Sequence, residues 1–136
     1  MKVVYWSSTG NTERMAEMLG EEIKSAGGEA EVCELSTVSP ADLAGEDSFA
    51  LGASAMVDVE LDEGEVEPFV EELEKSVSGK KVALFGSYDW GDGEWMRKWE
   101  ERMKEAGAEV VGTVIANNEP GDDDQANLAE LAKKLV

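Results

Sequence analysis

The feature that most restricts the fold is a regular alternation of two apolar patterns. Five short runs, Lys2–Trp6, Ala30–Leu35, Ser48–Gly52, Lys81–Gly86 and Glu109–Ala116, are bounded by turn residues, and several are apolar on both faces. That is the pattern of strands in a parallel sheet covered on both sides. Between the runs, apolar residues recur at helical spacing. Met15, Leu19, Ile23 and Ala26 precede Gly27-Gly28; Phe69, Leu73 and Val77 follow Pro68 and end at Gly79; Met96, Trp99, Met103 and Ala106 end at Gly107; Leu128, Leu131, Ala132 and Leu135 form the last stripe. Proline in a first turn and glycine past a last one are start and stop signals. Pro40 opens a short helix through Leu43. Such alternation predicts one doubly wound α/β domain over residues 1–136, with right-handed crossovers and no internal repeat or linker.

Length and charge narrow the range of functions. A chain of 136 residues suits one domain, and 42% hydrophobic residues are enough to build its core. With 12 basic against 31 acidic residues the formal charge is −19, a field that repels nucleic-acid phosphates and anionic lipid and attracts basic protein surfaces. Nucleic acid and membrane are therefore not expected partners. Cys33 is the one cysteine, so no intramolecular disulfide can form, and its apolar run marks it as core filler. The start, MKVVYWSSTG, lacks the apolar stretch of a secretory signal, and no later run approaches a membrane span. The expected location is the cytoplasm.

In doubly wound sheets ligands bind beyond the carboxyl ends of the strands, which directs attention to three loops. After the first strand stand Ser7, Ser8, Thr9, Gly10, Asn11 and Thr12, directly before a helix. Backbone N–H groups at a helix start, hydroxyls, an amide and a glycine that lets the chain turn make a phosphate cradle. Neither a Walker lysine nor a G-x-G-x-x-G spacing is present, which disfavours nucleoside triphosphates and dinucleotides. An ordinary Ser/Thr helix cap is the competing explanation. The second loop carries Met56 among small and acidic residues, and the third carries Trp90 beside Gly91. A polarisable thioether and a flat indole on neighbouring loops suit the two faces of a planar ring.

The stretches VVYWSSTGNTE, LGASAMVD, EPFVEELEKSVSGKKVALFGSYDWGDGEWMRKWEERM and NNEP together resemble a short-chain flavodoxin of the clostridial type, over nearly the whole chain. The resemblance implies a flavodoxin-like three-layer sandwich: a five-stranded parallel sheet of order 2-1-3-4-5 with helices on both faces. Flavodoxins are themselves a standing example of ligand binding at a strand-order switch point. It further implies a low-potential one-electron carrier with noncovalent FMN and no substrate chemistry of its own. Its partners would be redox proteins with basic docking surfaces, such as ferredoxin-linked reductases and low-potential oxidoreductases, met by a monomer. Position by position, Ser7 through Thr12 would cradle the phosphate, with Ser54 and Ser87 on the ribityl and phosphate side and Ala55 beside them. Met56 would pack on the inner face of the ring and Trp90 on the outer, with Val57 and Asp58 following Met56 in the same cofactor-binding loop. Tyr88 would lie beside the backbone amides of Asp89, Trp90 and Gly91, which would meet the pyrimidine carbonyls.

The chain departs from the short-chain pattern at four positions. Ser8, Val57 and Asp89 stand where glycine is usual, and Val59 stands where an acid usually accepts from flavin N3–H. If Asp89 holds a positive φ, strain of order 1 kcal/mol is expected. Two other readings of the same residues are a small FMN-dependent reductase and a flavodoxin-like scaffold, diverged or engineered, with weakened or lost FMN binding.

Overall fold

In the computed structural model, which describes residues 1–7, 10–55, 64–89 and 93–136, the alternation becomes a sheet of five parallel strands. They are β1 (Lys2–Trp6), β2 (Glu31–Glu34), β3 (Ser48–Ala53), β4 (Lys81–Tyr88) and β5 (Glu109–Asn117), in the order 2-1-3-4-5. The helices are α1 (Asn11–Ser25), α2 (Pro40–Ala44), α3 (Val66–Leu73), α4 (Glu94–Glu105) and α5 (Asp122–Leu135). Short 3-10 turns follow β2 and α3.

Strand alternation sends neighbouring side chains to opposite faces and so divides the core into two apolar layers. Val4, Phe49, Leu51, Val82 and Leu84 pack with Leu43, Phe69, Leu73, Trp95, Trp99 and Met103 under α2, α3 and α4. Val3, Ala50, Ala83, Phe85 and Val114 pack with Met15, Leu19, Ile23, Leu128 and Leu131 under α1 and α5. The helix stops are as the glycines suggest. Gly27 and Gly107 sit at φ 96 and 97, where a side chain is disfavoured. Each is the pivot of a Schellman closure: Gly28 N–H reaches Ile23 O at 3.0 Å and Ala108 N–H reaches Met103 O at 3.1 Å. Ser39 and Asp42 close a capping box on α2, with bonds of 3.3 and 2.9 Å.

Two expectations need correction. Strand β4 runs on through Ser87 and Tyr88, because β5 continues to pair with it as far as Asn117, so these residues belong to the sheet and not to the loop. Cys33 is half-buried instead of core filler, because β2 is an edge strand whose residues are otherwise exposed. Burial pushes its thiol pKa up, and nearby Glu31 adds to the effect, so the thiolate form is disfavoured.

Arg102 ties α4 to α3, donating from Nη1 to both carboxylate oxygens of Glu67 at 2.6 and 2.8 Å and from Nε to Glu74. At the opposite layer, the Tyr5 hydroxyl donates to Glu13 at 3.0 Å. Burial, then the Glu13 hydrogen bond and charge, push the Tyr5 phenol from 10.0 up to about 12. A phenol raised in the folded state contributes stability that is complete below its unfolded pKa and is lost as pH climbs through the folded one. The stability from Tyr5 is therefore present below pH 10 and fades between 10 and 12. In a phenolate absorbance titration Tyr5 should ionise only near pH 12, and Glu13→Gln should move that step down. An unmoved step in the variant would show that Glu13 does not act on this phenol.

Candidate functional site

Chain direction out of the sheet reverses between β1 and β3, which lie side by side while β1 also pairs β2 and β3 also pairs β4. The connections that leave their carboxyl ends diverge and leave a crevice, as open α/β sheets do at a switch point. A cleft of about 110 Å³ lies there. Asn11 lines it from the start of α1, Ser54 and Ala55 from beyond β3, Ser87, Tyr88 and Asp89 from the end of β4, and Asn118 from beyond β5.

At this cleft α1 begins at a residue that has no side chain with which to cap it. Its N-cap residue is Gly10, at φ 94, and a Cβ there would meet nothing within 4 Å, so the glycine serves conformation and not space. Gly10 N–H donates to Ser7 Oγ at 2.8 Å, which leaves the Ser7 hydroxyl hydrogen to donate elsewhere. The N–H groups of the first turn, at the positive end of the helix dipole, with Ser7 and Asn11 beside them, form a donor set for an anion. Gly10 itself offers no side chain as a cap, and a phosphate group fits the donors present among the described residues.

Thr12 behaves differently from the other hydroxyls of the loop. It is fully buried, its Oγ1 lies 2.8 Å from Ser54 Oγ, and it accepts from Ser87 N–H at 3.1 Å. Ser87 Oγ in turn donates to Asn118 O at 2.7 Å. The chain of bonds fastens the start of α1 to the ends of three strands, so Thr12 holds the cleft together from inside. Helical phase carries the signal: Thr12 precedes Met15, Leu19 and Ile23 on the buried face of α1.

Beyond β5, Asn118 N–H donates to Tyr88 O at 2.7 Å, and Asn117 Nδ2 donates to Asp89 O at 3.1 Å and to Tyr88 O at 3.4 Å. Sequence reasoning assigned these asparagines no role, although an Asn pair directly after an apolar strand marks a left-handed turn. Asn118 has φ 58 and is the one non-glycine residue with positive φ among those described. Asp89 is therefore not in the left-handed region, and the strain expected of it does not arise.

A family model for flavodoxin matches residues 3–132. The chain belongs to the flavodoxin family. It is 51% identical to a flavodoxin of Clostridium beijerinckii over 100% of this chain and 99% of that one. With a flavodoxin of Megasphaera elsdenii it shares 43% identity over 98% of each chain. The solution structure of the two-electron reduced Megasphaera elsdenii flavodoxin superposes with a TM-score of 0.89, at 44% identity and 98% coverage of both chains. Membership of the flavodoxin family carries its role: an electron carrier that binds FMN.

Of the residues expected at a flavodoxin cofactor site, Ser7, Gly10, Asn11, Thr12, Ser54, Ala55, Ser87, Tyr88 and Asp89 are brought to the cleft and its rim. Ser8, Thr9, Met56, Val57, Asp58, Trp90 and Gly91, with Val59, lie outside the described residues. Trp95 and Trp99 lie in the core, 1% and 2% exposed. Trp6 packs half-buried against the same layer.

Proposed function

We propose that the chain is a low-potential one-electron carrier whose FMN phosphate sits at the start of α1 and whose flavin ring lies along the end of β4. The observation that carries this reading is the glycine-initiated start of α1, whose N-cap residue supplies no side-chain cap, beside a cleft lined by Asn11, Ser54, Ser87 and Asn118 at the strand-order switch point. The first amides of α1, Ser7 and Asn11 would hold the phosphate, Ser54 and Ser87 would flank the ribityl side, and Tyr88 and Asp89 would border the ring. Bound there, FMN supplies reversible one-electron chemistry. The protein orients it, limits its contact with water and surrounds it with negative charge, which disfavours an added electron and lowers the potential. No described helix is long and apolar enough to cross a membrane. We place the carrier in the cytoplasm as a monomer that meets basic faces of redox partners, with rates that fall as salt rises.

The test is titration of the apoprotein with FMN and with riboflavin, followed by quenching of flavin fluorescence. FMN should bind more tightly by about a hundredfold or more, the worth of one or two charge-assisted hydrogen bonds. Equal affinities would remove the phosphate role from the start of α1.

A further inference from the structure

We propose that Asn117 is a positioning residue for the flavin ring, acting through the backbone of Tyr88 and Asp89; this rests on the FMN reading above. Asn117 is exposed and ends β5, so no packing demand accounts for its identity. Its amide nitrogen donates to Asp89 O at 3.1 Å. The neighbouring Asn118 N–H holds Tyr88 O at 2.7 Å, and Asn118 Nδ2 lies 3.5 Å from Asn117 Oδ1, which favours the amide orientation with Nδ2 toward β4. Two consecutive carbonyls at the end of β4 are thereby tied to β5. In a trans peptide the carbonyl and the N–H of one plane point in opposite directions. Fixing Tyr88 O against β5 therefore turns the Asp89 N–H away from β5, at a segment that lines the cleft. An amide so fixed is a pre-set donor for a ligand carbonyl and needs no reorganisation on binding.

This geometry also explains how Asp89 is accommodated. Asp89 is not among the described residues with positive φ, and the asparagine pair bonds to the Tyr88–Asp89 backbone in a region open to any residue. A donor that positions the ring end of the ligand should affect FMN and riboflavin alike, whereas a phosphate contact should affect FMN alone.

The experiment compares wild type, Asn117→Ala and Asn117→Asp as apoproteins. The aspartate variant keeps the shape but presents an acceptor oxygen to carbonyl oxygens. Three quantities are measured: dissociation constants for FMN and riboflavin, apoprotein melting temperature, and amide exchange of Asn118 N–H. Asn117→Ala should weaken both flavins by the same factor, about tenfold, the worth of one hydrogen bond. Asn117→Asp should weaken both further and speed exchange at Asn118, with the melting temperature of each variant close to that of wild type. Wild-type affinity in both variants, or loss for FMN alone, would overturn the proposal. So would a loss of affinity that follows the melting temperature. Failure of wild type to bind FMN would instead overturn the FMN reading itself.

Discussion

Trp99→Ala should lower the free energy of unfolding by roughly 3–5 kcal/mol, the range for removing a large aromatic side chain from a packed core. Trp99 is 2% exposed in the layer beneath α3 and α4, where Met103 and Leu73 are fully buried and held by their own contacts. Collapse into the space left behind is restricted, so the cavity cost adds to the lost transfer energy. One observation sharpens the test. The Trp99 indole N–H, like that of Trp95, is buried with no hydrogen-bond partner among the described residues, a costly arrangement in an apolar layer. Trp99→Phe removes that unpaired donor while retaining most of the ring, and should cost far less than alanine. Equal losses in the two variants, read by urea denaturation, would mean that the N–H finds a partner and contributes to stability.

Gly86→Ala is the second large effect, and it links stability to the cleft. A Cβ on Gly86 would lie 2.1 Å from the Ala53 carbonyl oxygen and 3.1 Å from the Trp95 ring. The first obstacle is backbone inside the sheet, which cannot swing aside as a side chain can. Overpacking of this kind costs about 1–3 kcal/mol and sometimes more. The strain falls between the ends of β3 and β4, which carry Ser54, Ala55 and the Ser87–Asp89 segment, so the folded fraction should also bind FMN less tightly. Gly45→Ala is the matched control: the nearest atom to its Cβ is 4.0 Å away and its φ is −85. There the loss of unfolded-state freedom should give a gain of about 0.4–1 kcal/mol. A Gly86→Ala protein that melts and binds like wild type would show that β3 and β4 do not approach as closely as described.

Most of the fold was legible because it rests on short-range signals. Two-sided apolar runs, helical stripes and glycine stops each depend on a few adjacent residues, and all five strands and the long helices follow from them. What sequence reasoning misjudged depends on pairing across the sheet. Ser87 and Tyr88 look like loop because one is polar, yet β5 extends far enough to keep them in register. Cys33 looks like core because it stands in a strand-like run with Val32 and Leu35, yet β2 has a partner on one side only. At the site, the loop of hydroxyls was legible as an anion cradle, but composition alone made its members equivalent. Helical phase separates them by turning Thr12 inward, while Asn11 stays at the cleft. The asparagines 117 and 118 were out of reach for a different reason: their partners are carbonyls about thirty residues away, and a carbonyl leaves no mark in the sequence.

The two apolar layers have a consequence for the order in which the protein is assembled in the cell. Both are built almost wholly from residues that do not line the cleft, Ala55 and Tyr88 being the lining residues that pack against one of them. Completing the hydrophobic core does not wait on the cofactor, so a newly made chain can reach its native topology first and be loaded afterwards. FMN bound afterwards adds stability by mass action to a fold whose core is already complete.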